Sequence, residues 1–283
     1  MGVVTTTVRA TGVRYRPVAG RNRLAWALLD ATILARRSLM QTLRTPSLIV
    51  FVAIQPIMFV LLFRYVFGGA IRVPGGQYVN YLMPGIFVQT VAFGCITTGI
   101  GLAEDMQRGV IDRFRSLPMS SSAVLTGRTI ADLARNLFTV IIMLVVGFVV
   151  GFRPQGSLAE FVFGMLLLMS FSFAFSWIAA LIGISVGSVE AAQSGGFIWL
   201  FPLTFASSVF VPVSTMPTWL QGFAEHNPIS VLANALRGLF QVDPSLTAAD
   251  TRSQVIQSIA WTVGILLIFV PLSIARYRRT TRG

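Results

Sequence analysis

Six stretches of about twenty residues run along this chain almost without charge: Leu48 to Phe67, Tyr81 to Ala103, Asn136 to Phe152, Phe161 to Val186, Gly195 to Val213 and Ile256 to Ala275. About 20 apolar residues in a helix cover the ~30 Å hydrocarbon core of a bilayer, so each stretch predicts a transmembrane helix. None alternates polar and apolar at period two, which excludes a transmembrane barrel. Pro56, Pro84, Pro202 and Pro212 fall inside these stretches and predict kinks, because neighbouring helices can satisfy the carbonyls that proline frees. The pattern therefore predicts an all-α membrane protein with six transmembrane helices.

The polar intervals carry their own periodicity. Before the first span, Leu24, Leu28, Ala31, Ala35, Leu39 and Leu43 recur at spacings of three and four, with Asp30, Arg37, Gln41 and Arg44 opposite. This predicts an amphipathic helix over 24–44 lying in the membrane interface, ended by Thr45-Pro46. The residues ahead of it, 1–20, show no helical period and read as a flexible tail, leaving 21–283 as one transmembrane domain. No apolar run with a small-residue cleavage site follows the Arg-rich start, so no cleavable signal peptide is expected. Between the fifth and sixth spans, Trp219, Leu220 and Phe223, then Ile229, Leu232, Leu236, Leu239 and Phe240, predict short helices resting in or re-entering the outer leaflet, with Asn227-Pro228 as the turn.

The interval after the second span stands apart. Glu104, Asp105, Arg108, Asp112, Arg113 and Arg115 crowd into a stretch closed by Pro118, while Met106, Val110, Phe114 and Leu117 repeat at helical spacing. Glu104 with Arg108 and Arg108 with Asp112 are i, i+4 pairs, each worth about 0.2–0.5 kcal/mol and compatible with a merely solvated helix. The apolar stripe asks for lipid headgroups or a groove on another protein as well.

Basic residues set the orientation. All 22 are arginine, and seventeen of them lie before the first span, between the second and third, or after the sixth. Only Arg72, Arg153, Arg237 and Arg252 fall on the other side, with Arg64 near the end of the first span. This asymmetry predicts that both termini are cytoplasmic. The net charge of +12 then reads as a topology signal with attraction to anionic lipid, and nucleic acid is not an expected partner.

Chemistry is narrowed by what the sequence lacks. A P-loop needs a lysine for the β and γ phosphates, and this chain has none. The sole histidine, His226, lies in an external loop, so neither a His-based protease nor a His metal cluster is expected. Cys95 is the only cysteine and reads as a small core residue. No acidic residue falls near the middle of a span, which argues against an ion-coupled carrier and for energy entering from another polypeptide. Gln55, Gln89, Asn136 and Gln193 are polar positions in or near spans, suited either to line a path or to hydrogen-bond a neighbouring helix. Gly147 with Gly151, and Gly183 with Gly187, carry the spacing that lets helices approach closely. A channel or ion-coupled carrier, or a non-transporting scaffold, are the alternative readings.

These residues resemble a known family. Glu104-Asp105, Arg108-Gly109, Asp112-Arg113-Phe-Arg115-Ser-Leu-Pro118-Met, Gly127-Arg128 and Asp132-x-x-Arg135 are similar to the permease subunits of type-2 ABC transporters, in the DrrB-like daunorubicin-resistance exporter branch. Met216-Pro-x-Trp219-Leu, Asn227-Pro228 and Ala235-Leu-Arg237 extend the likeness, which spans about Arg21 to the C-terminus. The resemblance implies an elbow helix, six spans, a coupling helix after the second and external re-entrant helices. It implies a bacterial cell-membrane protein exporting an amphiphilic drug, antibiotic or lipid. Two separate ATPase subunits would bind ATP and Mg, and a second permease copy or paralogue would complete the pathway, with no cofactor held by this chain. Glu104, Arg108, Val110, Asp112, Arg113, Phe114, Leu117 and Glu190 would then meet the ATPases.

Overall fold

The computed structural model describes residues 46–71, 77–108 and 121–280. The expected tail 1–20, the amphipathic helix 24–44 and the docking positions Val110, Asp112, Arg113, Phe114 and Leu117 lie outside these residues. All regular structure among the described residues is helical. Helix α1 (Pro46–Leu61) continues as a π-helical stretch over Leu62–Phe67. Helices α2 (Tyr78–Gly94) and α3 (Ile96–Gln107) follow, jointed at Cys95. Then come α4 (Ser121–Val150), α5 (Leu158–Ser185) and α6 (Val189–Phe205). A short 3₁₀ turn, Val213–Thr215, leads to α7 (Thr218–His226), α8 (Pro228–Leu239) and the long α9 (Ala248–Thr280).

Local chemistry sets the helix ends. Ser157 and Glu160 form a reciprocal capping box at the start of α5, with Ser157 N donating to Glu160 Oε2 at 2.8 Å and Glu160 N to Ser157 Oγ at 3.3 Å. Beyond α4, Gly151 adopts φ +105°, a left-handed conformation that suits glycine and turns the chain away. Pro56, Pro84 and Pro202 lie within α1, α2 and α6, whereas Pro212 lies outside any helix. The apolar window from Gly195 to Val213 is thus divided, because helix α6 stops at Phe205.

Among the described residues, four runs are long and apolar enough to cross a membrane: Tyr78–Gln107, Leu125–Val150, Leu158–Ser185 and Ala248–Arg279, with Ile54–Phe67 as a shorter apolar helix. Helix α6, at 17 residues, extends for about 26 Å. The α2–α3 rod is central, with 72% of its apolar window buried, against 22% for α9. Around the rod pack α4, α5, α6 and α8, and α9 lies against α5 and α8. The outer faces carry exposed Val149, Ile198, Leu267 and Ile268. Water would penalise so much apolar surface, whereas hydrocarbon solvates it.

Close packing around the rod depends on missing side chains. A Cβ on Gly183 of α5 would lie 2.2 Å from the Gly99 carbonyl oxygen of α3, so these backbones touch only because both residues are glycine. Gly187, four residues on, faces open space. In the other spaced pair, Gly147 packs against Met83 while Gly151 serves the turn. Each pair therefore supplies one contact glycine rather than two.

Candidate functional site

The four polar span residues converge. Gln55 of α1, Gln89 of α2, Asn136 of α4 and Gln193 of α6 all line one cavity of about 320 Å³, within the size range of small-molecule sites. Three rings, Phe59, Phe93 and Phe197, supply apolar wall, and Thr90, Thr97 and Thr139 supply hydroxyls. Thr90 and Thr139 donate to carbonyls of their own helices, to Ile86 O at 2.7 Å and Arg135 O at 3.1 Å, while Thr97 donates back across the Cys95 joint to Gly94 O of α2 at 2.6 Å. Asn136 is held by a 2.8 Å bond from Nδ2 to Ser172 Oγ. Gln89 differs: it is 3% exposed, yet its Oε1 has no hydrogen-bond partner. A buried amide oxygen without a partner costs about 1–3 kcal/mol, which a hydrogen-bonding guest could recover.

An aromatic row leads away from the cavity. Phe197 meets Phe201 at 5.6 Å between ring centres, Phe201 meets Phe205 at 5.4 Å, Phe205 meets Phe210 at 5.4 Å and Phe210 meets Phe63 at 4.3 Å. Phe197, Phe201 and Phe205 follow one face of α6 at i, i+4 and i+8, and Phe210 carries the row across to Phe63 in the π-helical stretch after α1.

Charge gathers at the other end of α3. Glu104 and Arg108 pair at 2.5 Å on an exposed surface, as their spacing predicts. Gln107 Nε2 donates to Gly187 O at 3.3 Å, tying this end to the loop before α6 and so bringing Glu190, in the first turn of α6, to the same end. Deeper, Arg128 of α4 faces Asp105 at 3.5 Å and Asp132 at 3.5 Å, and Arg135 pairs with Asp132 at 2.7 Å. Arg135 also donates to Thr97 Oγ1, a cavity residue. Helical spacing suggests a solvated Arg128–Asp132 pair, yet the Asp132 side chain is only 4% exposed. Two arginines from its own helix and the α3 surface cover it.

Arg237 is the residue that sequence reasoning missed. Arginine counting places it merely on the external side, but it is fully buried in α8. Its Nε donates to Tyr81 O at 2.9 Å, Nη1 to Asn234 Oδ1 at 2.6 Å and Ser208 Oγ at 3.1 Å, and Nη2 to Ser208 O at 2.7 Å and Val209 O at 3.3 Å. All five N–H groups are used, and the guanidinium also lies 3.6 Å from the Tyr81 ring centre. A signal existed: Ser230, Asn234 and Arg237 repeat at i, i+4 and i+7, a polar stripe on an otherwise apolar helix. Ser230 Oγ accepts from Ser208 N at 2.8 Å on that stripe.

A helical bundle with lipid-suited outer faces, an amide-lined cavity among its helices and charge at one end fits a membrane permease. Comparison with known proteins supports that class: the ABC-2 type transporter family model matches residues 30–240. The chain is 32% identical to the daunorubicin resistance ABC transporter permease protein DrrB1 of Streptomyces coeruleorubidus, over 98% of this chain and 96% of that protein. It is 24% identical to a probable doxorubicin resistance ABC transporter permease protein, DrrC, of Mycobacterium tuberculosis, over 99% of both. A probable multidrug ABC transporter permease of Escherichia coli, YbhR, is 25% identical over 61% of this chain and 47% of its own length. The chain belongs to the ABC-2 type transporter family, in its DrrB-like branch, and is a permease subunit rather than an enzyme.

Proposed function

We propose that this permease exports an amphiphilic drug, antibiotic or lipid from a bacterial cell, driven by two ABC ATPase subunits that bind ATP and Mg. It spans the membrane six times with both termini cytoplasmic, as one domain over 21–283 preceded by a tail. The elbow helix 24–44 lies in the inner interface, α7 and α8 dip into the outer leaflet, and a second permease copy or paralogue faces the first. The observation that carries the transport reading is the meeting of Gln55, Gln89, Asn136 and Gln193 at one cavity, with Gln89 Oε1 unpartnered there.

Doxorubicin, named in a relative's description, is the first probe to try. Inverted vesicles holding the permease with its ATPase are expected to accumulate it on addition of ATP. Accumulation that ignores ATP but collapses with the ion gradients would replace this reading with an ion-coupled carrier. A complex that binds its partner but moves no candidate substrate would leave only a scaffold. Gln89→Leu is expected to weaken doxorubicin binding by about 3–10-fold, the worth of one hydrogen bond, measured by fluorescence titration. Equal affinity in both proteins would remove Gln89 from the site.

Glu104, Arg108 and Glu190, together with Val110, Asp112, Arg113, Phe114 and Leu117, form the face that receives the ATPases. Support comes from the charge and the exposed pair at that end of α3, and from the Gln107 bond that gathers the α6 start beside it. Phe114→Asp or Asp112→Arg is expected to abolish co-purification of the ATPase while leaving the permease monodisperse in detergent. Normal association and export in either variant would remove the segment from the coupling face.

A further inference from the structure

The ion pairs between α3 and α4 form a ladder with one end at the charged face and the other at the cavity. Thr97, Gly101 and Asp105 lie at i, i+4 and i+8 on one side of α3, about 12 Å from first to last. Each meets α4. Thr97 accepts from Arg135, and Asp105 stands 3.5 Å from Arg128. Between them the Arg128 guanidinium fills the space that a Cβ on Gly101 would need. Asp132 joins the two arginines from beneath.

The ladder is not fully made. Arg128, itself partly exposed, is 3.5 Å from both of its carboxylates, and its Nε and Asp132 Oδ2, both buried atoms, face each other at that distance without making a hydrogen bond. Buried ions normally compensate their desolvation with short, well-directed bonds. An apolar α3–α4 contact would fasten these helices at less cost. Stretched, shared pairs instead suit a contact that is remade when the helices shift. The upper rung is part of the cavity wall, and the joint at Cys95 lies two residues before Thr97.

We infer that Asp132 is a positioning residue that transmits movement of the ATPase-facing end to the cavity, by exchanging Arg128 between Asp105 and itself while holding Arg135 against Thr97. The inference rests on the ATP-driven reading above. Asp132 touches no substrate; it sets where α4 stands against α3, and so the shape of the cavity.

The test uses the full permease–ATPase complex in vesicles, with doxorubicin as probe. Asp132→Asn is expected to keep ATPase association and basal ATP hydrolysis within twofold of wild type, and still to bind the probe. Probe moved per ATP is expected to fall at least tenfold, and Asp132→Glu to restore half or more. Wild-type transport per ATP in Asp132→Asn would overturn the inference. So would loss of assembly and probe binding in both variants, which marks a structural role.

A second readout does not depend on the probe. Maleimide labelling of Cys95, fully buried in this state, is expected to speed up or slow down by at least threefold when a non-hydrolysable ATP analogue is added to wild type, and to ignore it in Asp132→Asn. Labelling that responds equally in both, or in neither, overturns the ladder. If wild type moves no doxorubicin but its Cys95 responds and that of Asp132→Asn does not, the choice of substrate fails and the ladder stands.

Discussion

Arg237→Met should melt well below the wild-type protein, with a loss of about 2–4 kcal/mol, against roughly ±0.5 kcal/mol for an ordinary surface change. The guanidinium joins three parts of the chain: the start of α2 through Tyr81, the turn after α6 through Ser208 and Val209, and α8 itself through Asn234. Methionine fills much of the volume but donates nothing. The loss is bounded, because some acceptors keep other donors; Ser208 O also takes the Tyr81 hydroxyl at 3.0 Å. Arg237→Lys keeps the charge, yet its three donors cannot reproduce a planar fork serving five bonds, so it should fall between the two. Thermal unfolding of the purified protein in detergent, followed by tryptophan fluorescence, reads the series. Equal melting temperatures for wild type and Arg237→Met would show that the cluster fastens nothing.

Gly183→Ala should be damaging and Gly187→Ala nearly silent, although the two glycines share one sequence motif. A methyl group at 183 meets the Gly99 carbonyl oxygen at 2.2 Å and its Cα at 2.7 Å, and backbone atoms cannot rotate away. Helices α3 and α5 would have to separate, at about 1–3 kcal/mol or more, whereas the methyl at 187 meets nothing within 4 Å. Folded yield after solubilisation and the midpoint of thermal unfolding compare the pair directly. Similar behaviour of the two alanine variants would mean that the close α3–α5 approach is not a determinant of the fold.

Helices announce themselves in this chain because lipid demands length and apolarity, which hydropathy counts directly. The α7–α8 turn was equally legible, since Asn227-Pro228 carries its own mechanism: Asn227 Oδ1 accepts from Ile229 N at 2.9 Å and proline occupies the first helical turn. The amide residues could be named as either path or packing positions, but only the fold shows Gln89 unpartnered beside the other three. Hydropathy could not find the end of α6 at Phe205, for the apolar run continues through Val209, Phe210 and Val211. Two tertiary partners decide it. Asn227 Nδ2 donates to Leu203 O at 2.6 Å and Ala206 O at 3.0 Å, and Arg237 takes the carbonyls of Ser208 and Val209. A linear pattern cannot register a side chain that arrives from about twenty or thirty residues away. The burial of Asp132 escaped for the same reason: its i, i+4 spacing with Arg128 is identical in a solvated helix and in one pressed against α3.

Arg237 has one more property. Its oxygen acceptors are carbonyls, an amide and a hydroxyl, and among the described residues no carboxylate lies within ion-pair distance. A clasp made with a carboxylate would loosen in acid as that partner took up a proton, and in brine as ions screened the pair. This one offers acid nothing to protonate in the ordinary range and offers salt no exposed pair to screen. The joint between α8 and the bundle therefore holds without an ion pair, and acid or salt has no such pair there to break.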